Sequence, residues 1–170
     1  RLLALFEEKL QPVAGAAAAI DAIGLPRSVA SNSPRLRVEA AFRIAGFTRH
    51  FGSRITTFED VKLGKPAPDI YLLALEQLGL APDQVIAFED SLNGLRSASA
   101  AGIRSVITPS VYTDDEDFNG AFAVMSDLGE PGRPQRRDRP CPVARKCIAG
   151  RTGRWHWQRR QLSVQQPLLG

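Results

Sequence analysis

The sequence predicts an α/β fold, a Rossmann-like parallel sheet with flanking helices, from three observations. Short apolar runs of strand length alternate with stretches of helical period. The helical stretches stop at glycines, Gly46, Gly79 and Gly102, where a left-handed cap suits a residue without Cβ. Polar residues able to do chemistry stand just after the apolar runs, where parallel sheets present ligands beyond the carboxyl ends of their strands.

Taken in order, Leu2 to Leu10 has apolar positions at helical spacing and Pro12 ends it. Ala14 to Ile23 reads as a second helix, stopped by Gly24 and Pro26. Arg27 to Ser31 is a strand candidate. Pro34 suits the first turn of a helix that runs to Ala45. Arg54 to Phe58 is the next strand, and Gly64 to Pro68 a loop. Pro68-Asp69 opens a helix that reaches Leu78. Val85 to Phe88 is a short apolar run that fits a buried parallel strand. Ser91 to Ala101 is helical, Ile103 to Thr108 a strand, and Ala123 to Met125 a further short one.

Composition narrows the class. An apolar fraction of 44% over 170 residues suffices for one domain with a core. No stretch of about 18 apolar residues occurs, so no membrane partner is expected. The net charge of +4 hides two unlike segments. Acids outnumber bases up to Gly132. Beyond it, Arg133 to Arg160 supply ten bases against the single acid Asp138. Cys141 and Cys147 lie in that segment, at a spacing that makes neither a disulfide framework nor a zinc site. Their absence elsewhere fits a reducing, cytoplasmic setting. Trp155 and Trp157 beside the arginines are the one hint of nucleic acid, and it is set aside: the residues beyond Pro131 lack any sustained period and read as disordered.

Three places carry chemistry. Ser31-Asn32-Ser33 puts a hydroxyl and backbone N–H groups at a strand end before a helix, which suits either an anion or a simple N-cap. Lys65 lies in Gly64-Lys65-Pro66-Ala67-Pro68-Asp69, where two prolines stiffen the backbone around one ammonium. Glu89-Asp90 places two carboxylates at the exit of an apolar strand, costly unless paired or bound to a cation. Hard oxygen ligands of that kind suit Mg2+.

Together, Ala30-Ser31-Asn32-Ser33, Gly64 to Asp69 and Phe88-Glu89-Asp90-Ser91-Leu92-Asn93-Gly94 resemble the second, third and fourth motifs of the haloacid dehalogenase superfamily. The resemblance covers Leu5 to Glu130 with order and spacing intact. Val106 to Thr113 and Phe118 to Ala121 look like the β-phosphoglucomutase-like, CbbY-type branch. The division this implies is the end of a helical cap over 1–24, a core over 25–130 and a basic tail over 131–170.

The resemblance also implies a chemistry. In that family an aspartate attacks phosphorus, forms an aspartyl-phosphate and is regenerated by water. Carried over, Ser31 and the N–H of Asn32 hold phosphoryl oxygens. Lys65 pairs with nucleophile and phosphate as the catalytic residue of this set, and Asp90 ligates Mg2+ with Glu89 as second contact. The implied ligand is a small phosphorylated metabolite of the sugar-phosphate class. A phosphomutase and a non-catalytic binding module are the alternatives.

One departure matters. The family's first motif, Asp-x-Asp-Gly-Thr after an apolar strand, has no match in the 170 residues. Asp115-Glu116-Asp117 has the carboxylate spacing, but Phe118-Asn119 follows, and it reads as a solvated loop. The expectation is a fragment that begins at Arg1 within a longer pattern. It lacks the nucleophile, most of the cap, and the strand that belongs between those ending at Ser31 and Phe88. Marginal stability and no independent turnover follow from that expectation.

Overall fold

The computed structural model describes residues 10–12 and 15–125. The expected first helix and the basic tail lie outside them. Among the described residues there are five short strands and five α-helices, and all but one short helix follow the order that the sequence predicts. No helix there is long and apolar enough to cross a membrane.

Helix α1 spans Ala16–Ala22 and follows Gly15, whose φ of 79° is left-handed. Its last carbonyls are capped from outside the helix. The Arg27 guanidinium donates to Ile23 O at 2.7 Å and also to Ile20 O. Strand β1, Val29–Ser31, follows, and Pro34 leads into helix α2, Arg35–Ala45. Gly46 at φ 75° closes that helix. A short helix α3, Thr48–Phe51, was not legible in the pattern. It is fastened by Phe42, whose ring lies 5.1 Å from that of Phe51 and 6.2 Å from that of Phe47.

Strand β2, Ile55–Thr57, is entirely buried and entirely β-branched. It pairs in parallel with β1, Val29 opposite Ile55 and Ser31 opposite Thr57. Arg35 staples α2 to the turn after β2. Its side chain donates to Ile55 O at 2.9 Å and to Asp60 Oδ2 at 2.7 Å, and its backbone N–H donates to Glu59. Helix α4, Asp69–Leu78, ends at Gly79. Strand β3, Ile86–Glu89, precedes helix α5, Leu92–Ala100. Ser91 caps α5 by accepting from Gly94 N at 3.3 Å. Strands β4, Arg104–Ile107, and β5, Ala123–Val124, complete the order.

The strands form two parallel sheets, one of β1 and β2 and one in the order β3-β4-β5. Helix α4 bridges them. It packs against β1 and β2, and its Tyr71 and Leu75 join Ala87 of β3, Ala98 and Ala101 in one core cluster with Ala30 against it. The two sheets are therefore neighbours without a ladder between β1 and β3, the break expected from the sequence.

The expectation of a wholly buried run at Val85 to Phe88 needs correction. Ala87 is buried, but Phe88 is 54% exposed. Side chains alternate along a strand. Ala87 and Glu89 face the helices, and Phe88 turns to the face that α4 and α5 leave uncovered.

Candidate active site

Each candidate residue stands at a strand end or on a loop that a second element holds in place. Ser31 ends β1 and is half-buried. Its hydroxyl oxygen accepts from Ser33 N at 3.1 Å, closing a tight turn before α2. A serine hydroxyl has one donor and two acceptor sites, so its O–H remains available to an anion.

Asn32 was expected to act through its backbone N–H. The structure gives its side chain a second task. Asn32 Oδ1 accepts from Lys65 N at 2.8 Å, and Nδ2 donates to Lys65 O at 3.0 Å. Both halves of the amide thus grip the backbone of the lysine. The grip needs Gly64. A Cβ there would lie 2.8 Å from Asn32 Oδ1. On the opposite side, Ser97 of α5 donates to Ala67 O at 2.6 Å, and the Lys65–Pro66 peptide is cis. The rigid loop read from two prolines is in fact clamped by β1's exit and by α5.

The Lys65 side chain runs inward. Its ammonium donates to Ala30 O at 2.9 Å and to Glu89 Oε1 at 2.5 Å, with only 10% of the side chain exposed. Lys65 therefore spans the break between the sheets and joins β1, one residue before Ser31, to the end of β3. Glu89 is buried at 8% and also accepts from the Tyr71 hydroxyl. Burial, with the Glu89 charge beside it, holds the Tyr71 phenol above the ordinary tyrosine range. Glu89 has no room to retreat: a Cβ on Gly94 would stand 1.8 Å from its Oε2.

Asp90, next in sequence, is exposed. Its carbonyl accepts from Thr113 Oγ1 at 2.5 Å, and the neighbouring Leu92 N–H donates to Glu116 Oε2 at 2.6 Å. The solvated-loop reading of Asp115-Glu116-Asp117 holds for the exposed Asp115 and Asp117 and is corrected at Glu116. Glu116 is half-buried and places its charge at the N-terminus of α5, where the helix dipole favours an anion.

The structure thus ties Lys65 to Glu89 through its ammonium and to Asn32 through its backbone, with Ser31 and Asp90 next in sequence to the strand residues it joins. Sequence reasoning missed Tyr71 and the contacts that Gly94, Thr113 and Glu116 make around the site. Tyr71 falls on the apolar face of α4 with Ile70, Ala74 and Leu75, so its pattern signals only core. Among the described residues no group of three or more His, Cys, Asp or Glu side chains is placed to hold a metal. The exposed Asp90 carboxylate suits Mg2+ in the form that retains water and takes one or two carboxylates with a substrate phosphate, whereas Glu89, expected as the second contact, is buried with its Oε1 engaged by Lys65 and Tyr71.

Comparison with known proteins bears on the family and the fold. The family model for haloacid dehalogenase-like hydrolases matches residues 1–102. Protein CbbY of Cupriavidus necator, encoded on a plasmid, is 35% identical over 136 residues, 78% of this chain and 53% of that protein. Protein CbbY of Cereibacter sphaeroides is 38% identical over 147 residues, 84% of this chain and 64% of its own length. The crystal structure of CbbY from Rhodobacter sphaeroides in complex with phosphate matches with a TM-score of 0.68 at 36% identity, over 76% of this chain and 60% of that one. A mutant of the same protein, in complex with xylulose-(1,5)bisphosphate, matches with a TM-score of 0.67 at the same identity and coverage. The chain spans about half to two thirds of the length of these relatives.

Proposed function

Since the chain belongs to the haloacid dehalogenase-like hydrolase family, in its CbbY-type branch, we propose that it carries the phosphate-holding and magnesium-facing part of a sugar-phosphate phosphatase. The observation that carries this reading is the Lys65 ammonium, held between Ala30 O, beside Ser31, and Glu89, beside Asp90. That geometry joins a cation to a buried carboxylate between the strand ends that carry Ser31 and Asp90, which supports a site for a phosphate monoester and its counter-ion.

In this reading Ser31 donates its O–H, and Asn32 its backbone N–H, to phosphoryl oxygens. Lys65 neutralises charge on the phosphate while Glu89 fixes where that charge sits. Asp90, with Glu89 as a water-mediated contact, would hold Mg2+, which offsets the charge between an attacking carboxylate and the phosphate. The phosphate and xylulose bisphosphate complexes of its structural neighbours support a phosphorylated sugar as the ligand class.

Covalent catalysis in the family needs an aspartate nucleophile, and no Asp-x-Asp-Gly-Thr motif occurs in the 170 residues. The chain as it stands therefore binds without turning over. Two measurements test this. Magnesium with inorganic phosphate raises the melting temperature of the purified chain, and the rise is lost in Lys65→Met. Hydrolysis of p-nitrophenyl phosphate with magnesium stays at the level of that variant; robust turnover above it refutes the claim of inactivity.

A further inference from the structure

Tyr71 meets the Lys65–Glu89 ion pair at both ends. Its hydroxyl donates to Glu89 Oε1, the same oxygen that accepts from Lys65 Nζ at 2.5 Å. Its ring lies under the ammonium, with Nζ 5.1 Å from the centroid, a cation–π distance. The ring cannot wander, because Tyr71 is 7% exposed and packed among Leu75, Ala87 and Ala98.

An ammonium has three N–H donors. Ala30 O and Glu89 Oε1 engage two of those of Lys65. An ammonium fixed by two acceptors, over a ring face, cannot spin about its Cε–Nζ bond. Its third N–H then has one direction. Glu89 alone could not impose this, since a carboxylate that swings changes the direction of its lysine partner. The Tyr71 hydroxyl on one side and Gly94 on the other prevent the swing.

Resting on the phosphate-binding reading of Lys65, we propose that Tyr71 is a positioning residue: its hydroxyl locks the shared Glu89 oxygen so that Lys65 presents its third N–H to a phosphate beside Ser31. Packing alone would require only a ring, and phenylalanine supplies one. The role therefore separates from structure by a single oxygen atom.

The test uses the full chain and inorganic phosphate as probe. Its four lysines make the side-chain ammonium signals few enough to resolve by 15N-edited NMR. One slowly exchanging ammonium, absent in Lys65→Met, is expected in the wild type. In Tyr71→Phe its proton exchange quickens and its phosphate dissociation constant rises, each by about tenfold, the effect of one charge-assisted hydrogen bond. In Glu89→Gln the added Tyr71→Phe change has little further effect on either readout, because the shared carboxylate charge is already gone. A Tyr71→Phe chain with wild-type ammonium exchange and wild-type phosphate affinity overturns the proposal, as does a wild type with no protected Lys65 signal. If the wild type shows the protected signal, sensitive to Tyr71→Phe, yet gives no response to phosphate, the phosphate reading fails. The locking of the ammonium by Tyr71 then stands.

Discussion

Asn32 grips the backbone of Lys65 with both polar atoms of its amide, Oδ1 on the N–H at 2.8 Å and Nδ2 on the carbonyl at 3.0 Å. The two residues lie 33 positions apart in sequence. Their bond makes one unit of the β1 exit and the loop before α4. The ammonium of Lys65 can be placed only because its backbone already is. Asn32→Ala removes both bonds and is expected to cost about 1–2 kcal/mol, half or less if water enters. Asn32→Asp puts an acceptor against the Lys65 carbonyl and is expected to cost at least as much. Thermal melts of the three chains at neutral pH check the order; a more stable aspartate variant contradicts it.

Gly94 is required by a side chain five residues earlier. A Cβ there would overlap the Glu89 carboxylate, at 1.8 Å from Oε2 and 2.2 Å from Cδ. In an exposed helix Gly→Ala stabilises by about 1 kcal/mol. Here the sign should reverse, with a loss of about 1–3 kcal/mol as Glu89 is driven from Lys65 and Tyr71. Gly94→Ala combined with Glu89→Ala should recover most of the loss, which thermal melts of the single and double variants read directly.

Lys65 and Glu89 form a buried pair, with side chains 10% and 7% exposed. Such a pair contributes little net stability, yet removing one partner strands the other charge. Lys65→Met is expected to destabilise by about 3 kcal/mol. Lys65→Met with Glu89→Gln should lose less than the sum of the two single changes. Denaturant unfolding of the four chains supplies the comparison, and additivity would show that the pair is not coupled.

Much of this was legible from local chemistry. Helices end at Gly46 and Gly79 because both adopt left-handed φ, 75° and 64°, which suits glycine. Ser31, Lys65, Glu89 and Asp90 stood out because each follows a strand or sits in a stiffened loop. What stayed hidden depends on partners far along the chain. Tyr71 differs from a core residue only by its bond to Glu89, 18 positions away. Glu116 differs from a solvated acid only by its bond to Leu92, 24 positions away. The exposure of Phe88 depends on which face of β3 the helices cover, and an apolar run carries no sign of that.

Asp60 gives the fold a pH dependence separable from the candidate site. Its Oδ2 accepts from Thr57 N at 2.7 Å, Thr57 Oγ1 at 2.9 Å and the Arg35 guanidinium at 2.7 Å. The Thr57 backbone N–H, followed by the Arg35 and Thr57 side-chain bonds, holds its carboxyl below the usual aspartate value despite partial burial. A depressed folded pKa means that the unfolded chain binds the proton more readily. The stabilisation is complete above the unfolded pKa of about 3.9 and is lost as pH falls through the lower folded value. Asp60→Asn keeps the size of the side chain and removes its titration. At pH 7 the variant should be less stable by about 1 kcal/mol, the worth of a lost cap. The gap to wild type should close as the pH drops below about 4. Arg35 keeps its charge throughout, so salt should narrow the gap at pH 7. Melting curves of both chains between pH 7 and pH 3 decide it; a gap of constant size across that range would mean that Asp60 acts there by shape alone.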